Sequence, residues 1–165
     1  MSTEHDKSHR GNASQFFVAG ELCRRGYAAV VTMGNTPNTD ILCSNRAGTK
    51  FVHIQVKTFV PGNKTCSVGL KAERNFGSNF FWILGGIPLP DTSASFEYFI
   101  IPSCEMAHNI SQFHRRWLNA PGKNGRVRKD SSIRVVGVKP DSNSYIWNVE
   151  LYHDKWDFVT RQLND

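Results

Sequence analysis

Only four cysteines occur among the 165 residues, at positions 23, 43, 66 and 104, and no two of them form a Cys-x-x-Cys pair. That excludes a zinc ribbon built from neighbouring ligands and leaves unpaired, mostly buried thiols in a reducing compartment as the expectation. Long apolar runs are also missing. Asn79-Phe-Phe-Trp-Ile-Leu84 and Phe99-Ile-Ile-Pro102 fall far short of the ~20 residues a membrane-spanning helix needs. The stretch from Met1 to Arg10 is polar and carries no signal-peptide apolar region, so a cytoplasmic location without membrane contact is expected. Gly85-Gly86 lacks the spacing and the lysine of a phosphate loop, which argues against nucleotide hydrolysis. His108 and His114 fall on different faces of any helix that carries both, so they make no helical zinc pair. Repeats and low-complexity tracts are absent as well.

Acids are scarce in one region. Between His114 and Lys139 stand Arg115, Arg116, Lys123, Arg126, Arg128, Lys129, Arg134 and Lys139, against the single acid Asp130. The segment nets +7, so the rest of the chain nets −1 within a total of +6. A basic stretch interrupted by Pro121-Gly-Lys-Asn-Gly125 predicts a loop that meets a polyanion, with Arg115, Arg116, Lys123, Arg126, Arg128 and Lys129 as the candidate contacts to nucleic acid. The apolar share of 39% and charged share of 21% belong to a folded chain and not to a disordered one.

Residues 1–11 read as a disordered tail and residues 12–165 as one domain. Asn12 is positioned to cap a helix reaching about Arg25, with Phe17, Val18 and Leu22 buried and Gly26 as the stop. A short strand follows at Tyr27 to Thr32, then a loop through Asn35 and Asn38 whose residues could meet a nucleic-acid backbone. Ile41 to Asn45 and Lys50 to Phe59 read as a hairpin closed by Arg46-Ala-Gly-Thr49. Its second strand alternates, with Val52, Ile54 and Val56 on one face and Phe51, His53, Gln55, Lys57 and Phe59 on the other. Phe80 to Leu84 and Phe96 to Ile101 are apolar enough for central strands.

Ser103 is expected to cap a helix to about Asn119, carrying Met106, Ile110, Phe113 and Trp117 on one stripe. Strands are expected at Ile133 to Val138 and Tyr145 to Leu151, and a last helix capped by Asp154. Trp82, Trp117, Trp147 and Trp156 lie in periodic apolar segments and read as core. The order of elements predicts an α/β sandwich, a mixed β-sheet with helices on both faces.

The hairpin register carries the chemistry. With a four-residue turn at 46–49, Ile41 faces Ile54 and Asp40 faces Gln55, and directly opposed residues share a sheet face with Cβ atoms ~4.5–5.5 Å apart. Two oxygen donors thereby meet, and Lys57 points the same way two residues on. Hard oxygen donors suit Mg²⁺ or Mn²⁺ and not zinc. A lysine beside such an ion can orient a hydroxide and offset charge growing on a phosphorane-like transition state. His53 shares this face, and Asn12, Ser14 and Gln15 stand near the helix start, where they could line the same cleft.

Gly20-Glu-Leu22, Asp40-Ile41 and Ile54-Gln-Val-Lys-Thr58, in this order and spacing, resemble the active-site pattern of the PD-(D/E)XK nuclease superfamily, closest to a subset of small prokaryotic endonucleases. The resemblance covers roughly the first third of the chain. It implies a restriction-endonuclease-like three-layer sandwich and a metal-dependent DNA endonuclease. Asp40, Gln55 and the Val56 carbonyl would surround Mg²⁺ or Mn²⁺, Glu21 would bind a second ion or its water, and Lys57 would position the nucleophile. Cutting both strands would need two sites, which a homodimer supplies. Two departures stand out: Thr39 replaces the family's proline, and Gln55 stands where many members carry Glu. The amide adds an oxygen without charge, so the pattern leans harder on Glu21. The competing reading is a non-cleaving module on the same fold that binds nucleic acid or a protein partner.

Overall fold

A computed structural model describes residues 7–33, 36–140 and 144–164. Helix α1 runs Lys7–Arg24, followed by strands β1 (Ala28–Val31), β2 (Ile41–Ser44), β3 (Phe51–Phe59) and β4 (Thr65–Ser67). A 3₁₀ turn at Leu70–Glu73 precedes β5 (Phe80–Gly86), β6 (Glu97–Pro102) and α2 (Ser103–Asn119). After the basic loop come β7 (Val135–Gly137) and α3 (Asp157–Asn164). Five strands form one sheet in the order β1-β2-β3-β5-β6, and β4 pairs with β7 in a small second sheet. Only β3 and β5 run parallel in the main sheet, which makes it mixed.

Alternation along the strands splits the core in two. Val52, Ile54, Val56, Phe81 and Ile83 face one way and pack with Val18 and Leu22 of α1 and Val159 and Leu163 of α3. Phe59, Phe80, Trp82, Leu84, Phe99 and Ile101 face the other way and pack with Met106 and Ile110 of α2 and Val136 of β7. The three layers follow from this two-sided burial, each large apolar side chain contributing roughly 1.5–3 kcal/mol. The Gly85-Gly86 pair has a packing role: a Cβ at Gly85 would collide with the Ser14 hydroxyl of α1, and one at Gly86 would lie 2.6 Å from the Phe59 ring. The two layers approach β5 from opposite sides at the one point where it carries no side chains.

Several expectations are corrected. Helix α1 starts at Lys7, so residues 7–11 are helical and not part of a tail, while residues 1–6 and Asn35 lie outside the described residues. Its buried stripe is Ser14, Val18 and Leu22, and Phe17 is 45% exposed. Apolar β6 is an edge strand of the sheet. A bridge from Phe99 to His153 and the Asp154 N–H on the Tyr98 carbonyl (2.8 Å) cover that edge, which accounts for its composition. Pro102, not Ser103, occupies the cap position of α2, and the Ser103 hydroxyl accepts the Phe76 N–H at 2.8 Å instead.

The expected strand at Ile133 to Val138 shortens to β7, with Ile133 64% exposed. Tyr145 to Leu151 is no strand: Asn148 bridges Gly137 and the chain then enters a turn at Glu150–Tyr152. Asp154 has a positive φ of 51° and precedes α3 by three residues, so it does not cap it. Trp117 is only half-buried, whereas Trp82, Trp147 and Trp156 are core. Two of the four thiols, Cys23 and Cys104, are exposed, and burial pushes those of Cys43 and Cys66 up to about 12. No helix among the described residues is long and apolar enough to cross a membrane.

Candidate active site

The hairpin pairs Ile41 with Ile54 and Ser44 with Phe51, the register expected from a four-residue turn. Asn45 closes that turn, its Oδ1 accepting the Thr49 N–H at 2.9 Å and the Lys50 N–H at 3.2 Å. At the other end the pairing runs out. The Asp40 N–H still reaches the Ile54 carbonyl (2.9 Å), but β3 continues to Phe59 with no strand among the described residues paired to it on that side. The Asp40 carboxylate fills the gap, and its Oδ2 accepts the Val56 N–H at 2.7 Å. A side chain thus takes the place of a backbone partner. Thr32 holds the approach to Asp40: its N–H donates to the Asp40 carbonyl (2.9 Å) and its hydroxyl to the Thr39 carbonyl (2.6 Å).

Gln55 Nε2 donates to the same Asp40 oxygen and lies 3.4 Å from the Val56 carbonyl. Carboxylate, amide and carbonyl therefore converge. Turning the amide about its last bond puts Oε1 where Nε2 stands, and the donor set becomes three oxygens of the type Mg²⁺ and Mn²⁺ take. The residues fit a hard cation. Among the described residues no group of three His, Cys, Asp or Glu could hold a metal, so a cation here would draw on neutral oxygens and water as well as Asp40.

These groups open into a hollow of about 500 Å³ lined by Asn38, Asp40, Gln55, Lys57, Lys71 and Trp82. Burial raises the Asp40 carboxyl above its ordinary value, while the Val56 N–H and the charges of Lys57 and Lys71 pull the other way. Lys57 projects beside Gln55 because the two share a face of β3. His53, on that face as well, has its Nδ1 3.2 Å from the Thr39 hydroxyl and steadies the residue before Asp40. Sequence reasoning missed Lys71. It lies in the 61–78 stretch that shows no clear periodicity, and only the fold brings it across from Lys57.

Glu21 does not join this group. Helix α1 packs on the face opposite Gln55 and Lys57, and Glu21 lines a separate hollow with Phe17, Gly20, Arg24, Phe96 and Tyr98. Its carboxylate takes Arg24 Nε at 2.8 Å and Arg25 Nε at 2.9 Å. The bond to Arg24, with the charges of both arginines, holds it below its ordinary value against the opposing effect of burial. Ser14 is buried against Gly85, and neither it nor Asn12 or Gln15 lines the Asp40 hollow.

The basic segment divides into two groups. Arg134 is 4% exposed, its Nε 2.5 Å from Glu73, and Lys139 Nζ meets Glu97 at 2.7 Å. Arg128 lies over the Trp117 and Tyr145 rings and donates to the Trp117 carbonyl at 3.0 Å, so it braces the loop. Arg115, Arg116, Lys123, Arg126 and Lys129 are exposed.

No sequence-family model matches the chain, nor does any curated protein. Among solved structures it is similar to a bacterial homing endonuclease, I-Ssp6803I, with a TM-score of 0.56, 11% identity and 94% of each chain covered. It is also similar to Hjc, a Holliday junction resolvase of the archaeal hyperthermophile Archaeoglobus fulgidus, with a TM-score of 0.46, 18% identity, and 91% of this chain and 95% of that one covered. The first likeness identifies the fold as restriction-endonuclease-like: a mixed sheet flanked by helices.

Proposed function

We propose that the protein is a metal-dependent DNA endonuclease whose cation site is Asp40, Gln55 and the Val56 carbonyl. One observation carries the reading: Asp40 and Gln55 meet across the open end of the hairpin, with Lys57 in the same hollow. A bound Mg²⁺ or Mn²⁺ would polarise a phosphodiester and lower the pKa of a water. Asp40 supplies the negative charge that holds the cation, and its bond to the Val56 N–H fixes the carboxylate oxygen that meets Gln55. Lys57 orients the attacking water and offsets charge on the pentacoordinate phosphorus. Arg115, Arg116, Lys123, Arg126 and Lys129 would contact backbone phosphates, positioning DNA without reading bases. Likeness in fold to a homing endonuclease agrees with this reading. A homodimer would bring the two sites that cutting both strands needs.

A non-cleaving DNA-binding module draws support from a single observation, that among the described residues Asp40 is the only carboxylate lining the hollow. Incubation with duplex, branched and single-stranded DNA, with Mg²⁺, Mn²⁺ or a chelator, separates the two. Cleavage that needs the cation supports the nuclease, and binding without cleavage of any form supports the module.

A further inference from the structure

The hollow holds more positive charge than the proposed cleavage site accounts for. Lys71 borders it together with Lys57, against one carboxylate among the described residues, that of Asp40. Neither lysine has an ion pair or side-chain hydrogen bond among the described residues. Trp82, which also lines the hollow and is 1% exposed, has a buried indole Nε1 with no acceptor among the described residues. Buried donors are nearly always satisfied, so an acceptor is expected at this wall, and Lys57 and Lys71 beside it favour an anionic one.

The wall that carries Lys71 is fixed. Ala72 beside it is fully buried, and the Glu73 carboxylate holds the Nε of buried Arg134 at 2.5 Å. The Arg134 carbonyl in turn accepts the Val68 N–H at 2.9 Å and the Gly69 N–H at 3.3 Å, so one residue clamps the turn from both ends. Arg134 belongs to the basic stretch that the sequence assigns to a polyanion, yet its work is internal. It keeps Lys71 on the rim of the Asp40 hollow, which limits the ordering cost of binding.

Building on the nuclease reading, we propose that Lys71 forms a phosphate seat in the active-site hollow, binding a DNA backbone phosphate beside the scissile one. The seat is a point-charge contact: it adds affinity and register and carries no base specificity.

The test is equilibrium binding of a DNA duplex to the full chain in Ca²⁺ across a series of salt concentrations, for wild type, Lys71→Ala and Lys71→Arg. Loss of one phosphate contact flattens the slope of log K against log salt by about 0.9 and weakens binding about eightfold at 0.1 M salt. Lys71→Ala is expected to show both changes and Lys71→Arg neither. Because Lys71 is exposed and unpaired, the melting midpoint of Lys71→Ala should stay within about 2 °C of wild type. An unchanged slope in Lys71→Ala, or a loss that arginine does not restore, overturns the seat. Cleavage of the same duplex by wild type in Mg²⁺ is scored separately. Wild type that binds but never cuts overturns the nuclease reading, while a flattened slope in Lys71→Ala then still supports the phosphate seat.

Discussion

The carboxylate of Asp40 accepts the backbone N–H of Val56 at 2.7 Å, at the point where the pairing of β3 with β2 stops while its pairing with β5 runs on. Asp40 is therefore both a strand-end partner and the charge of the proposed cation site. The double role separates its variants. Asp40→Asn keeps an acceptor for Val56 and loses only charge, whereas Asp40→Ala leaves the N–H without a partner and costs about 1–3 kcal/mol of stability as well.

Lys57→Ala should lower the rate of DNA cleavage at least ~100-fold while leaving DNA affinity and melting nearly unchanged. Lys57 faces the hollow and not the α1 core, so its removal takes away no packing there. Single-turnover cleavage beside a binding titration checks this.

Glu21→Gln is expected to keep cleavage activity, because Glu21 is bound to Arg24 and Arg25 in a different hollow from Asp40. Its carboxyl is held below its ordinary value, so the ionised form stabilises the fold above the unfolded-state value. That contribution disappears as pH falls through the lowered folded-state value. The surface pair is worth roughly 0.2–1 kcal/mol, so wild type and variant should melt within a few degrees at pH 7 and converge in acid. Loss of activity in Glu21→Gln would return it to the site.

In the basic loop Arg128 should separate by role from Lys123, Arg126 and Lys129. Replacing Lys123, Arg126 and Lys129 by Ala should weaken DNA binding alike for all sequences and flatten the salt slope by up to ~0.9 per contact. Arg128→Ala should instead loosen the loop, since its guanidinium lies 4.8 Å from the centre of the Trp117 ring. Proteolysis between Pro121 and Asp130 should accelerate in that variant and not in the triple one.

Metal affinity should fall as pH drops through the Asp40 value, which burial raises above the ordinary carboxylate. The proton and the cation compete for one carboxylate, and desolvation favours the neutral form. For stability the sign is opposite. Without metal, ionised Asp40 costs the fold some stability, and that cost is relieved as pH falls through the raised value. Mn²⁺ titrations and melts over the same pH range should move in opposite directions until acid unfolding sets in.

How much of this was legible in the sequence depended on local rules. The hairpin register and the meeting of Asp40 with Gln55 follow from turn length and strand alternation, and both are present. The two-sided burial of Phe80 to Leu84 follows from a continuous apolar run. Glu21 was misplaced because order along the chain does not say which sheet face a helix covers, and α1 covers the Ile54 face. Lys71 was invisible because the 3₁₀ turn that carries it has no periodicity and is held by Arg134, more than sixty residues later. The strand expected around 145–151 is reduced to one bridge, Asn148 to Gly137, before the turn at Glu150–Tyr152, and Ile133, 64% exposed, lies outside the β4–β7 pairing.

The most direct test of the opposed pair is calorimetric titration of Mn²⁺ into wild type, Asp40→Asn and Gln55→Glu. Among the described residues Asp40 is the only carboxylate lining the hollow, so its neutralisation should abolish measurable binding, and an added charge at position 55 should tighten it. The expected ranking is Gln55→Glu, then wild type, then Asp40→Asn with no binding heat. Mn²⁺ binding to Asp40→Asn as tight as to wild type would contradict the account, because the cation would then be held somewhere other than between Asp40 and Gln55.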